Sequence, residues 1–388
     1  MVTKPTLGYS FRMQQNALLI IDSSESNADL YYKTKFFVPD PAVFIEHGGK
    51  KILVLSDLEL DRGKGEAKVD SVLSLSEYRK RVPSDRRKRA GFVDIVDLVF
   101  KERRIKSAVV PGRFPIKYAD ELRKLGYKVS YKKEEPFFED RLKKTSQEVG
   151  LIRDALKKTA RAMELAIGMI ASSEVKKNNK LFLGGRVLTS ERIKGEINAE
   201  LSKLGFTASH TIVACGVQSS MPHHAGEGPM FAKQAIVIDI FPRSQENGYF
   251  GDMTRTVVKG ETSKELDKMY RTVLKGQKLG MSLIKHGAKS KEVHGAIMEF
   301  FKKSGFETGM IGGRQQGFIH STGHGLGLEI HEPPRVGFGD EMLQEGNVVT
   351  VEPGLYYEKL GGVRIEDVVV VKKNGCENLT RCAKKFRV

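Results

Sequence analysis

Several features that would narrow the class of this 388-residue chain are scarce or missing. There are only three cysteines, Cys215, Cys376 and Cys382, and no CxxC pair among them. This excludes a disulfide framework and a zinc knuckle, and it fits a reducing compartment. No stretch approaches the ~20 consecutive apolar residues of a membrane span. The opening segment MVTKPTLGYSFRMQQNALLIIDSS lacks an apolar core followed by a small-residue cleavage site. A cytoplasmic protein with no membrane partner is the expectation. The chain has no obvious internal repeat and no low-complexity tract. Within the first 140 residues there is also no phosphate loop, no dinucleotide fingerprint and no cluster of catalytic residue types.

Acidic residues are in deficit, and the formal charge is +17. The excess is spread evenly, +8 over residues 1–150 and +9 over the remainder, which suits a solvated basic surface better than one binding face. One local run stands out: Arg79, Lys80, Arg81, Arg86, Arg87, Lys88 and Arg89. Tyr78 is its sole aromatic, so platforms for stacking bases are missing and a nucleic-acid partner is not expected.

Hydrophobic content of 40% and charged content of 29% describe a globular protein, and the length allows two domains. Residues 1–140 alternate short apolar runs of strand length (Ala17–Asp22, Ala42–Glu46, Lys51–Leu55, Ala108–Val110) with helical spacing over Val93–Phe100 and Ile116–Leu125. This predicts a small α/β domain with a mixed sheet. Lys144–Ser173 reads as one long helix with a stripe of Val149, Ile152, Leu156, Ala160, Met163 and Ile167, and it opens a second domain over 141–388. Thr262 and Glu265 form a capping box for a helix to about Lys285, and another helix runs from Ser290 to Gly305. Strands are predicted over 235–241, 249–258, 348–352 and 362–371, which makes the whole chain α+β.

Four carboxylates fall within those apolar strands. Asp239 lies in AIVIDIF, Asp252 in YFGDMTRTVV, Glu352 at the end of VVTVE and Glu366 in VRIEDVVVV. A charge inside a core strand is costly unless something compensates it. A hairpin turning at Gln245–Gly248 would bring Asp239 and Asp252 together. Taken singly, each has a bland reading: an edge residue, a strand end, or for Glu366 a pairing with Arg364 on the same strand face. Crowded carboxylates repel and hold their protons, and hard divalent cations relieve this with positive charge. The segment from His320 through His324 to His331 concentrates three of the nine histidines, and His223 and His224 add two more. A metal site is the economical account of the coincidence.

In their order, IVIDI, NGYFGDMTRT, STGHGLGLEIHE, VVTVEPGLY and GGVRIEDVVVV resemble the pita-bread-fold metallopeptidases, and most of all the Xaa-Pro aminopeptidases and Xaa-Pro dipeptidases (prolidases). The resemblance implies a C-terminal pita-bread catalytic domain behind the smaller α/β domain of the creatinase and prolidase branch. It implies two divalent metal ions per subunit, Mn²⁺ first, with Co²⁺, Zn²⁺ or Fe²⁺ compatible. Their ligands would be Asp239, Asp252, His324, Glu352 and Glu366, with Asp252 and Glu366 bridging. Glu352 would double as general base toward a metal-bridging hydroxide. His223, His320 and His331 match positions that line the substrate site, and Arg364 matches an arginine supporting it. A proline-containing peptide or dipeptide substrate and a homodimer follow from the same resemblance. Phe241 stands where the family usually has glycine, and the 239–252 hairpin is longer than in many relatives. Two rival readings remain: a non-catalytic binding protein using the basic surface, and a metal-free amidinohydrolase, which the full ligand set disfavours.

Overall fold

A computed structural model describes residues 16–388, so most of the leader segment considered above lies outside the described residues. The chain divides into two compact units, one ending at Glu139 and the other running from Asp140 to Val388. Among the described residues no helix is long and apolar enough to cross a membrane.

The N-terminal unit is built on a six-stranded mixed sheet, in the spatial order Ser71–Ser74, Lys50–Leu55, Ala42–His47, Ala17–Asp22, Ser107–Pro111, Lys128–Lys132. Its three central strands pair antiparallel, and each outer pairing is parallel. The sheet is covered on both faces. Ile21, Val43, Ile45 and Val54 pack under the Phe92–Glu102 helix, and Ile20, Phe44, Leu53 and Leu55 pack against Leu30, Phe36 and Phe138. The basic run occupies the end of the Leu75–Arg81 helix and the short Ser84–Arg87 turn of helix. Tyr78 is buried there, donating its hydroxyl to Glu102 at 2.6 Å, so it offers no face to a base.

The C-terminal unit places two pairs of helices behind curved sheets. The Ser146–Ala171 helix begins with a true capping box, Thr145 with Glu148. Together with Ser190–Lys203 it buries its apolar stripe against Ile236, Ile238 and Ile240. The Lys264–Leu283 and Ser290–Lys303 helices cover Val349, Val351, Val363, Val369 and Val371. The cap of the Lys264 helix corrects the predicted one: Ser263, not Thr262, accepts from Leu266 N at 3.1 Å, while Thr262 donates to the Lys233 carbonyl.

One strand prediction is also corrected. The expected run over 362–371 is two strands, Gly361–Arg364 and Asp367–Lys372, which pair with different partners and leave Ile365 and Glu366 between them. Asp252 precedes the Met253–Val257 strand and Glu352 follows Val348–Val351. Of the four carboxylates only Asp239 is inside a strand, Ile236–Ile240. A carboxylate at a strand end has left the ladder, so it can aim at a common point from any direction.

Candidate metal centre

Strand alternation decides which side chains meet. Because Ile236, Ile238 and Ile240 face the helices, Asp239 faces the opposite way. The strand's partner aligns Asp239 with Thr254, which puts Asp252 on the same face, diagonally across. Val349 and Val351 face the other helix pair, so Thr350 and Glu352 point inward. Glu366 N donates to the Thr254 carbonyl, and Thr254 Oγ1 donates to Glu366 Oε2 at 2.9 Å. His324 sits in the three-residue strand Gly323–Gly325. A Cβ at Gly323 would lie 2.0 Å from the Thr350 carbonyl oxygen, and one at Gly325 would lie 2.5 Å from that of Glu332. Only glycine lets this strand approach its neighbours closely enough to deliver the imidazole.

The result is one buried cluster. One ligand atom from each of Asp252, His324 and Glu366 lies within 4.8 Å of the others. His324 Nε2 is 3.3 Å from Glu352 Oε1 and 3.6 Å from Asp252 Oδ2. Arg364 donates to Asp239 Oδ2 at 2.7 Å, to Tyr356 Oη at 2.9 Å and to the Pro222 carbonyl at 3.3 Å. It therefore serves Asp239 and not its near neighbour Glu366, which disposes of the bland pairing considered for that glutamate. Asp239 Oδ1 is buried and has no hydrogen-bond partner among the described residues.

The electrostatics are those of a site short of positive charge. Burial, then the Asp239 charge, holds the Asp252 carboxyl well above the usual carboxylate range. Burial with Asp252, Glu352 and Asp239 does the same to Glu366. Burial also raises Asp239, and Arg364 only partly opposes it. Burial alone would raise Glu352, but the His324 hydrogen bond and charge outweigh it and carry the carboxyl down to about 2. His324 conversely overcomes burial through Glu352 and Asp252 and rises to about 9. Four carboxylates thus share Arg364 and one histidine. A divalent cation supplies what this cluster lacks, and carboxylate oxygens with one imidazole are a donor set that suits a hard or borderline ion. Asp239, Asp252, His324, Glu352 and Glu366 could together hold such ions.

Of the remaining predicted residues, the exposed His331 stands edge to face with His324, ring centroids 4.3 Å apart. Partial desolvation of its ring and the His324 charge push its pKa down to about 4. His320 is lowered by burial and contacts Tyr356 Oη at 2.9 Å. His223 is exposed, beside the Pro222 carbonyl that Arg364 holds. His224 is set apart, its Nδ1 accepting from Gly226 N.

Four supporting residues were not singled out from the sequence. Thr254 bonds both Glu366 and Arg364 Nε; Thr350 donates to Glu352 Oε1 at 3.3 Å and accepts from His324 N; Tyr356 links Arg364 to His320. Arg255, fully buried, ties the Thr254 and Glu366 carbonyls to Asp367 and the Cys382 carbonyl. The two threonines carried a readable signal, since each stands two residues from a candidate ligand carboxylate and so shares its face.

The sequence profile of metallopeptidase family M24 matches residues 150–373. The Xaa-Pro dipeptidase of Pyrococcus horikoshii is 32% identical over 285 residues, spanning 73% of this chain and 75% of that protein. Among solved structures, an X-Pro aminopeptidase from Thermotoga maritima matches with a TM-score of 0.81 at 26% identity, over 98% of this chain and 100% of that one. The prolidase of Pyrococcus furiosus matches at 0.77 and 26% identity, over 97% and 99%. The pita-bread fold expected from the motifs is the fold of these neighbours.

Proposed function

The chain belongs to metallopeptidase family M24, and on that premise we propose that it hydrolyses the Xaa-Pro bond of dipeptides or at the N-terminus of longer peptides. The observation that carries the reading is the buried convergence of Asp252, His324 and Glu366, where burial and neighbouring carboxylates raise the pKa values of Asp252 and Glu366 well above the usual range. In this reading Asp239, Asp252, His324, Glu352 and Glu366 would hold two divalent ions. The unpartnered Asp239 Oδ1 supports that assignment. Mn²⁺ is the proposed ion, with Co²⁺, Zn²⁺ and Fe²⁺ as alternatives for the same donors. Residues 1–140 are assigned as the creatinase/prolidase-type domain and 141–388 as the catalytic domain. The active form is taken to be a cytoplasmic homodimer, by likeness to the family.

Bound ions supply Lewis acidity toward the scissile carbonyl and acidify the attacking water. The rest falls to side chains. Glu352 is ionised at neutral pH and takes the proton of that water. His331, neutral at that pH, donates a hydrogen bond to the oxygen that gains charge. Arg364 holds Asp239 in place and keeps the Pro222–His223 segment at the rim. The proline nitrogen carries no hydrogen and must be protonated as it departs, a task for His223, while His320 orients the substrate.

The test is release of proline from Xaa-Pro dipeptides, and of the first residue from Xaa-Pro-Yaa peptides, after chelation and after addition of Mn²⁺, Co²⁺ or Zn²⁺. Metal-restored cleavage is expected, and the preferred length separates dipeptidase from aminopeptidase. Full activity in chelator, or none with any ion, would overturn the reading.

A further inference from the structure

A second group of buried charges lies in the catalytic unit, on the far side of the loop that carries His331. Glu332 opens the Glu332–Val336 strand and is 4% exposed. Arg141 donates to its Oε2 at 2.9 Å, and Lys144 Nζ bonds its Oε1. Arg141 also holds Glu329, and Lys144 Nζ donates to the Arg141 carbonyl at 2.7 Å. Both cations are mounted on fixed backbone. Lys144 N donates to the Gly346 carbonyl, and Asn347 Nδ2 to that of Leu142. The turn is closed around the carboxylate so tightly that a Cβ at Gly327 would lie 2.6 Å from Glu332 Oε1. The Gly327 carbonyl accepts from Phe250 N, two residues before Asp252.

His331 lies in the bend immediately before the Glu332–Val336 strand, one residue from a carboxylate held by two cations, and its ring rests edge to face on that of His324. Without that anchor the imidazole of an exposed residue on a glycine-rich loop would be free to swing. We infer that Glu332, clamped between Arg141 and Lys144, is a positioning residue that fixes the His331 imidazole beside His324 for the hydrolytic reaction. The inference rests on the proposed peptidase function and on the role of His331 within it.

A misplacement of about 1 Å in a reacting group costs on the order of a hundredfold in rate, and loss of the anchor acts through His331 alone. Glu332→Gln is therefore expected to lower kcat on a Xaa-Pro dipeptide by about tenfold to a hundredfold, with KM and calorimetric Mn²⁺ affinity within about twofold. In a His331→Ala background the same change is expected to do nothing further to kcat. Lys144→Met leaves the Arg141 contact in place. It is expected to give a several-fold loss that Lys144→Arg restores, which keeps the test open should Glu332→Gln fold poorly. Equal losses in both backgrounds, an unchanged kcat in Lys144→Met, or a fall confined to Mn²⁺ affinity would each overturn the inference. Full kcat in His331→Ala alone would instead remove the role given to His331 in the proposed function.

Discussion

The C-terminal unit contains two kinds of buried ionic cluster, and they differ in their charge balance. Around Glu332, two cations meet that buried carboxylate and the more exposed Glu329, so the charges balance within the protein. Around His324, four carboxylates meet Arg364 and one imidazole, and a buried oxygen is left over. Burial is similar in both, so burial does not distinguish structure from function. The deficit of compensating charge does. A closed cluster has already been compensated by its own chain, whereas in an open one the crowded carboxyls have raised pKa values, which a cation from outside would lower.

The sharpest way to break this contrast is to make one substitution in each cluster. Glu366→Ala should abolish metal-dependent hydrolysis while raising the melting temperature of the chelated protein, because it removes a crowded carboxylate. Retained activity would sink the ligand assignment. Glu332→Ala strands the buried Lys144 and leaves Arg141 only Glu329, and should cost about 3–5 kcal/mol in denaturant unfolding. Equal stability signs for the two changes would erase the distinction.

The pH dependence of stability follows with the same logic. Asp252, Glu366 and His324 have raised pKa values in the folded, metal-free protein. The stability they contribute is complete below their unfolded values and is lost as pH rises through the folded ones. For His324 that window runs from 6.5 to about 9. The melting temperature of chelated protein should fall across it, and saturating Mn²⁺ should remove the fall, since binding takes the deprotonated forms. Next in size, Thr254→Val should weaken Mn²⁺ affinity in calorimetry by about 10–100-fold, by freeing Glu366. The smallest effect is expected in the N-terminal unit. Glutamine at Arg86, Lys88 and Arg89, all exposed, should leave hydrolysis unchanged and stability within about 0.5 kcal/mol per site. A loss of salt-sensitive oligonucleotide binding in that variant would revive the basic surface as a binding face.

Much of this site was legible in the sequence because a polar residue in an apolar run is a local signal. Asp239 between Ile238 and Ile240 is visible to a reader of five residues. The principal strands and three of the four helices in those pairs were visible for the same reason, through their periodicity, whereas the Ser190–Lys203 helix was not expected. What escaped was pairing over distance. The partner of Arg364 is Asp239, 125 residues away, and the anchors of Glu332 are 188 and 191 residues away. No spacing rule reaches that far. The break at Ile365–Glu366 was hidden because both flanking segments are equally apolar, and only their different strand partners separate them. The Lys128–Lys132 strand was missed because it is an edge strand with little apolar content.

The link from Arg364 through Tyr356 to His320 also has a direction. His320 Nδ1 faces the Ser321 carbonyl at 2.8 Å, an atom that can only accept, so Nδ1 carries the ring hydrogen. Burial keeps the ring neutral, which makes Nε2 an acceptor and the Tyr356 hydroxyl its donor. Tyr356 in turn accepts from Arg364. The tautomer is fixed from end to end, and both ring nitrogens of His320 are occupied. This histidine is wired as a rigid wall of the pocket, so in the proposed reaction it orients the substrate and the proton that frees proline comes from His223.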